Sequence, residues 1–233
     1  MTKELLSKRG IPFESLDIEN DPGALEQLRA LGLATVPVVA VGDCYVVGWN
    51  PPKVAELVGF ELVERVTPPD ELIASLRMLL DATLRAVGQV PDEHLMMKSP
   101  DRDRPLRQLA HHVFRVIEAG VDADVVGEFP AGEWLFGKDI PCHTSAARIV
   151  RYGEAVQAKF ASWFAQIDSA AFERQIEADV GSRTLAQVLE RTRSHAAQHL
   201  RQLYVFLQWI GVEPDRPLSA GDFQGIELPD AVW

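Results

Sequence analysis

The sequence is poor in cysteine and has no cluster of positive charge, and each shortage excludes a class of protein. It holds two cysteines among 233 residues, Cys44 and Cys142, and neither lies in a Cys-x-x-Cys motif. This argues against a disulfide framework and against a cysteine-rich zinc site, so we expect two free thiols. The formal net charge is −11, from 23 basic and 34 acidic residues. Such a surface repels nucleic acid and anionic membranes, and we expect neither as a partner.

Long apolar runs are also missing. No apolar stretch approaches the roughly 18 residues that a transmembrane helix needs. The first ten residues, MTKELLSKRG, lack the apolar centre of a signal peptide. The sequence therefore predicts a cytoplasmic protein.

The first 64 residues predict a small α/β unit. Short β-type runs occur at 12–18, 36–41 and 44–49, and Gly42-Asp43 separates the last two. Two residues of this kind between apolar, β-branched runs are typical of a hairpin. The stretches ALEQLRALGL and PPKVAELVGF each predict a short helix, the first ending at glycine and the second beginning at proline.

From residue 69 to the end, the pattern becomes helical. Apolar residues recur at helical spacing over 70–88, 104–124, 144–167 and 183–210. Four amphipathic helices that each bury one face predict a four-helix bundle, followed by an irregular tail. The connections 89–103, 125–143 and 168–182 are long enough to cross over or to cover one end of the bundle.

Two histidines stand four residues apart in the fourth helix, in the stretch SHAAQHLRQLYVFL. His195 and His199 lie about 40° apart around the helix and near its apolar stripe. Buried imidazoles need polar partners, so they either share a metal ion such as zinc or nickel or form a hydrogen-bonded pair in a polar layer. Ala196 stands where a zincin metalloprotease has glutamate, which argues against protease chemistry.

A metal site needs a third ligand, and the second helix offers two candidates. His111 and His112 lie about 140° and 120° from the centre of its apolar stripe, on opposite sides. Periodicity alone leaves both open.

The histidines in PLRQLAHHVFRV and HAAQHLRQL, in this helix order, resemble the DinB-like superfamily of metal-binding four-helix bundles over about residues 70–210. The resemblance implies a three-histidine site for zinc or nickel, completed by water. In that family an aliphatic residue follows the ligand of the second helix, which assigns His112 together with His195 and His199. His111 is the alternative.

The stretch FESLDIENDPGALEQLRALGLATVPVVAVGDCYVVGWNPPKVAELVG resembles the later part of a glutaredoxin, in the thioredoxin-like fold. Thr35-Val36-Pro37 matches that family's cis-proline loop, so the Val36-Pro37 bond is a candidate cis peptide. The first strand and the Cys-x-x-Cys motif of a glutaredoxin have no counterpart here. Either the gene begins upstream, or the unit is a truncated binding or dimerisation module, for which we expect a homodimer.

Together these patterns predict an α+β protein of two domains: an incomplete thioredoxin-like unit at 1–64 and a DinB-like bundle at 69–233. The resemblance implies a metal-dependent transferase that joins a low-molecular-weight thiol to an electrophile, with the thiol or water in the open position of the site. Arg201 is a candidate for binding the carboxylates of the thiol cofactor. The alternative is a non-catalytic metal-binding or ligand-sensing module with a redox-inactive interaction domain.

Overall fold

The computed structural model describes residues 2–18, 20–34, 36–48, 50–61, 67–99, 103–130, 134–178 and 181–232. The chain divides into two compact units, Met1–Val66 and Thr67–Trp233. Residue 64, the predicted end of the first domain, and Thr35 of the predicted cis-proline loop lie outside the described residues. Among the helices described, none combines the length and apolar composition that crossing a membrane requires.

The first unit is a small α/β arrangement around a modest core. Its elements are α1 (Thr2–Lys8), α2 (Pro22–Ala30), β1 (Val38–Val41), β2 (Cys44–Val47) and α3 (Pro51–Val58). The core of this unit is formed by Leu5, Leu6, Val46 and Val54. Side chains cap both later helices: Asp21 accepts from the Gly23 amide at the start of α2, and Asn50 accepts from the Lys53 amide at the start of α3.

The predicted hairpin is confirmed. β1 pairs antiparallel with β2, and Val41 lies opposite Cys44, so that Gly42-Asp43 forms a two-residue loop. Gly42 has a φ of 58°, in the left-handed region that such turns require. The Val36-Pro37 peptide bond is cis, as the sequence predicts.

The prediction of a β-type run at 12–18 is wrong. These residues form no strand, and residues 12–17 are exposed. Among the residues described, β1 pairs with β2 alone, so no strand edge holds the 12–18 segment. A segment whose residues favour the extended conformation becomes a strand only where a hydrogen-bonding partner exists.

The second unit is the predicted four-helix bundle. Its helices are α4 (Pro69–Gly88), α5 (Leu106–Val126), α6 (Ala146–Phe164) and α7 (Leu185–Trp209). Helix α7 packs against α4 and α5, and α6 packs against the same two helices. A single apolar core fills the space between them, and its largest fully buried members include Phe114, Phe160, Phe206, Leu72, Leu76 and Leu79.

Local signals in the sequence explain where α6 begins and where α7 begins and ends. The Ser145 side chain accepts from the Arg148 amide at 3.3 Å, which caps α6. Thr184 and Gln187 form a reciprocal capping box at the start of α7. Gly211, with a φ of 74°, follows the end of α7.

A glycine allows α5 and α7 to approach closely. A β-carbon on Gly120 of α5 would lie 3.2 Å from side-chain atoms of both Leu189 and Thr192 on α7. A larger residue would push the two helices apart. This helix pair carries the histidines that the sequence singles out.

The connections hold small elements that the sequence does not reveal. Two 3₁₀ turns occupy Asp92–His94 and Ser169–Glu173. β3 (Gln175–Ile176) pairs antiparallel with β4 (Arg183–Thr184), directly before α7. Two-residue strands are too short to leave a periodic pattern.

Candidate metal centre

Three histidines from two helices meet at one point. His112 projects from α5, and His195 and His199 project from α7. The Nε2 atom of His195 lies 2.9 Å from the Nε2 of His112 and 2.9 Å from the Nε2 of His199. His112 and His199 are 1% and 7% exposed, and His195 is half-buried. Their ligand atoms all lie within 4.8 Å of one another.

The backbone of a loop fixes the ring of His112. Its Nδ1 lies 2.5 Å from the carbonyl oxygen of Leu135. A carbonyl can only accept, so the Nδ1 of His112 carries the proton and its Nε2 presents a lone pair. Phe136, the next residue of the loop, stacks on the same ring at a centroid distance of 5.8 Å.

A glutamine fixes the ring of His199 in the same way. The Nδ1 of His199 lies 2.6 Å from Gln202 Oε1, and Gln202 Nε2 donates to the carbonyl oxygen of Val232 at 2.9 Å. The second bond assigns the amide orientation, because only the nitrogen can donate to a carbonyl. Oε1 therefore accepts from His199, whose Nε2 also presents a lone pair.

These two assignments leave one proton too few in the cluster. The Nε2 of His195 faces two lone pairs, and a neutral imidazole carries at most one proton on that atom. At most one of the two 2.9 Å contacts can then be a hydrogen bond, and the other lone pair faces a nitrogen that has no proton to donate to it. A cation shared by the three nitrogens accepts a lone pair from each of them.

Protonation of His199 is a poor source of that positive charge. Burial lowers the pKa of His199 well below its usual value, and the neighbouring His195 and His112 act in the same direction. Arg104 adds a further positive field. His199 is therefore neutral near pH 7, which is the form that binds metals.

The donor set fits a divalent transition metal. Three neutral imidazoles suit zinc or nickel, and tetrahedral zinc places its nitrogen ligands roughly 3.3 Å apart at bond lengths of about 2.0 Å. The two Nε2 distances of 2.9 Å are within a few tenths of an ångström of that spacing. Three protein ligands leave a fourth position open, as in catalytic zinc sites.

The loop that supports His112 is itself held on α5 by two buried arginines. We call residues 134–140 the covering loop. Arg115 pairs with Asp139 through both guanidinium nitrogens and lies over the Trp134 ring at 4.9 Å. Arg107 donates to the Ile140 carbonyl at 3.0 Å. The covering loop is therefore fixed on both sides of its contact with His112.

His111, the alternative ligand, lies away from the cluster. Its ring stacks on Tyr152 of α6 at 4.7 Å. Burial, helped by Arg115, lowers the pKa of His111 to about 4. Its buried Nδ1 has no hydrogen-bond partner among the described residues. The structure thus brings His112, and not His111, to the pair on α7.

Arg201, the candidate cofactor-binding residue, contacts the C-terminal tail. Its guanidinium donates to the carbonyl oxygens of Pro229 at 2.7 Å and Asp230 at 3.2 Å, and to the side chain of Gln198. The structure places Arg201 in anchoring the tail. A contact between Arg201 and a cofactor stays a prediction.

Sequence reasoning missed two contributors to the centre. Gln202 lies three residues after His199 on α7, so helical spacing places it on the same face, and this signal was available. The carbonyl of Leu135 carries no such signal, because a backbone group is the same in every residue. Its position depends on how the covering loop packs.

Comparisons with known proteins match both parts of the chain. Residues 46–203 match the family model of the DinB superfamily, and residues 1–46 match that of glutaredoxin. Over 56 residues the chain is 38% identical to glutaredoxin-like protein NrdH of Escherichia coli (strain K12). The matched stretch covers 24% of this chain and 69% of that protein. The same protein of Salmonella typhimurium is 36% identical over 56 residues, with the same coverage.

Proposed function

This chain belongs to the DinB superfamily, with a glutaredoxin domain at residues 1–46, and from that premise we propose that it is a metal-dependent transferase using a low-molecular-weight thiol. The observation that carries the proposal is the convergence of three Nε2 atoms, with the rings of His112 and His199 fixed by hydrogen bonds from the opposite nitrogen. Three ligands and an open position are the arrangement of catalytic rather than structural zinc.

His112, His195 and His199 would hold the metal, with zinc and nickel as the proposed ions. When bound, such an ion acts as a Lewis acid and lowers the pKa of a thiol or water in its open position, so that a nucleophile is available near neutral pH. The chain's own residues contribute the geometry. Leu135 and Gln202 hold two of the three rings in the tautomer that directs Nε2 inward.

Two neighbours of the centre suit a thiol cofactor and its electrophile. Arg104 donates to Gln202 Oε1 at 3.5 Å and acts on His199 electrostatically, so it brings positive charge close to the cluster. Positive charge at this point favours the carboxylates of a small thiol. Phe136 stacks on His112 and is 48% exposed, which offers an apolar surface to an electrophile.

The glutaredoxin-like first unit supports a role in thiol metabolism, although the sequence holds no redox motif in this unit. Its cysteine, Cys44, is exposed and free and lies in β2, and the sequence has no Cys-x-x-Cys motif. Disulfide exchange by a glutaredoxin needs a reactive thiolate at a helix start. We assign this unit to interaction, with a second copy of the chain as the proposed partner, and we place the protein in the cytoplasm, where free thiols stay reduced.

Turnover in the presence of metal tests the proposal. Purified protein is analysed for bound metal and then assayed for consumption of small thiols against a panel of electrophiles. We expect about one metal ion per chain and thiol consumption that His199→Ala abolishes. His143→Ala, which removes an exposed histidine outside the cluster, is the matched control and keeps full activity.

The same experiment separates the alternative function. If the protein binds metal but consumes no thiol with any electrophile of the panel, the non-catalytic metal-binding or ligand-sensing module is the better interpretation. Absence of bound metal would contradict both.

A further inference from the structure

The C-terminal tail is connected to the metal centre through one side chain. Gln202 is 5% exposed, and its two amide atoms face in different directions. Oε1 accepts from the Nδ1 of His199 at 2.6 Å, and Nε2 donates to the carbonyl of Val232 at 2.9 Å. Gln202 therefore bridges a ring of the cluster and the backbone of the tail.

We call residues 229–232 the tail segment, and several side chains of α7 hold it. Gln198 donates to the carbonyl oxygens of Val232 at 2.7 Å and Ala231 at 3.3 Å. Arg201 donates to Pro229 and Asp230. Four consecutive carbonyl groups thus accept hydrogen bonds from side chains on one face of α7. The tail segment is therefore held on α7 through its backbone carbonyl groups.

The docked tail selects the tautomer of His199. A glutamine amide can rotate by half a turn with little change in shape, which exchanges its donor and its acceptor. The Val232 carbonyl accepts only from the amide nitrogen, so docking keeps Oε1 facing His199. The rotated amide would donate to Nδ1 and favour a proton on Nε2, the atom that faces the cluster. A protonated Nε2 cannot bind a metal.

We propose that Gln202 is a positioning residue through which docking of the tail segment raises the metal affinity of the three-histidine centre. The inference rests on the proposed metal site and not on the transferase reaction. Arg104 also approaches Gln202 Oε1, at 3.5 Å, and supports the same orientation. The bond to Val232 is the shorter of the two contacts and is the one that the tail controls.

The test uses six proteins and two measurements. The proteins are the full chain, Gln202→Leu, Gln202→Glu, the wild-type chain and Gln202→Glu each without residues 229–233, and one control variant. Zinc affinity is measured by competition with a chromophoric chelator. The histidine tautomers of the metal-free protein are read by nitrogen-15 NMR. Gln208→Leu makes the same chemical change at an exposed position of α7 and serves as the matched control.

We expect Gln202→Leu to weaken zinc binding 10- to 100-fold, the usual effect of losing a partner of a metal-bound histidine. Removal of the tail also weakens zinc binding, and it increases the share of His199 with a proton on Nε2. Gln202→Glu keeps an acceptor for Nδ1, whichever oxygen faces it, so its affinity becomes insensitive to removal of the tail. Gln208→Leu leaves affinity unchanged.

Unchanged zinc affinity and unchanged tautomers after removal of the tail would overturn the proposal. So would a Gln202→Glu protein that loses affinity with the tail as the wild-type chain does, because the effect would then not pass through the amide. Far-ultraviolet circular dichroism checks that each variant is folded. A protein that binds zinc as described but consumes no thiol would refute the transferase and leave this inference intact.

Discussion

At the scale of single residues, His111 and His112 are neighbours in sequence with opposite surroundings. His112 faces α7 and receives its orientation from the Leu135 carbonyl. His111 faces α6 and stacks on Tyr152. Both are buried, so burial does not distinguish a ligand from a packed side chain here. The distinction comes from which helix each ring faces.

The two rings should therefore respond differently to replacement. We expect His112→Ala to weaken zinc binding by more than the roughly 100-fold upper range seen for outer partners, because a ligand itself is lost. His111→Phe, which keeps a flat ring against Tyr152, should bind zinc as the wild-type chain does. Chelator competition on both variants measures this. Equal losses would mean that the assignment of the ligand is wrong.

The low pKa of His111 predicts a dependence of stability on pH. Burial lowers its pKa from 6.5 to about 4 in the folded chain. The unfolded chain takes up this proton below about pH 6.5 while the folded chain does not, so the free energy of unfolding falls as the pH drops from 6.5 towards 4. Phenylalanine cannot take up a proton. We measure the free energy of unfolding of metal-free His111→Phe and of wild type by urea titration. The value for the variant minus that for wild type should rise as the pH drops from 6.5 towards 4. A difference that does not change with pH would contradict the low pKa of His111.

At the scale of elements, the covering loop helps to bury the first half of α5. Residues 106–117 of α5 are buried except for Gln108, which is half-buried. The loop lies on this helix and supplies the carbonyls that Arg107, Arg115 and His112 contact. Gly137, with a φ of 70°, would carry a β-carbon only 3.2 Å from the Gln108 carbonyl. The loop therefore follows the backbone of α5 closely.

Loosening the loop should disturb the metal centre from a distance. Arg115→Ala removes the pairing with Asp139 and the contact with Trp134, and we expect it to lower the free energy of unfolding by about 2 kcal/mol. It should also weaken zinc binding, because the Leu135 carbonyl is no longer held against His112. Denaturant titration and chelator competition measure the two effects. Destabilisation with unchanged zinc affinity would mean that the loop does not orient the ring.

The elements also show which parts of the fold a sequence can predict. The four helices of the bundle each carry a long apolar stripe, and the observed bounds lie close to the predicted ones. The β1–β2 hairpin was predictable because Gly42-Asp43 encodes its turn locally. The 12–18 segment was not, because a strand depends on a partner elsewhere in the chain. β3 and β4 were too short to leave a signal.

At the scale of the whole molecule, one helix limited what could be predicted about the site. The spacing of His195 and His199 indicates a site from α7 alone. Helical periodicity assumes that a helix buries one face, and α5 violates this because the covering loop buries its outer side as well. His111 faces α6, and His112 faces α7 and the covering loop, so both are buried and the pattern could not choose between them. The family resemblance named the histidine that the structure brings to the pair.

Metal binding should stabilise the protein by mass action. A ligand that binds only the folded chain raises the free energy of unfolding by about 2.7 kcal/mol at a free concentration of 100 times its Kd. We expect zinc to produce this increase in the wild-type chain and to leave His195→Ala nearly unchanged. Urea titrations at matched free zinc concentrations measure it. An equal increase in both proteins would place the zinc elsewhere.

We propose that three imidazole nitrogens, one from α5 and two from α7, bind a single divalent ion. X-ray absorption on the zinc-loaded wild-type chain, without added thiol, is the most direct test. We predict one zinc per chain with three imidazole ligands at about 2.0 Å and an oxygen atom as the fourth ligand. Sulfur in the first shell of this thiol-free sample, or fewer than three imidazoles, would contradict the proposal.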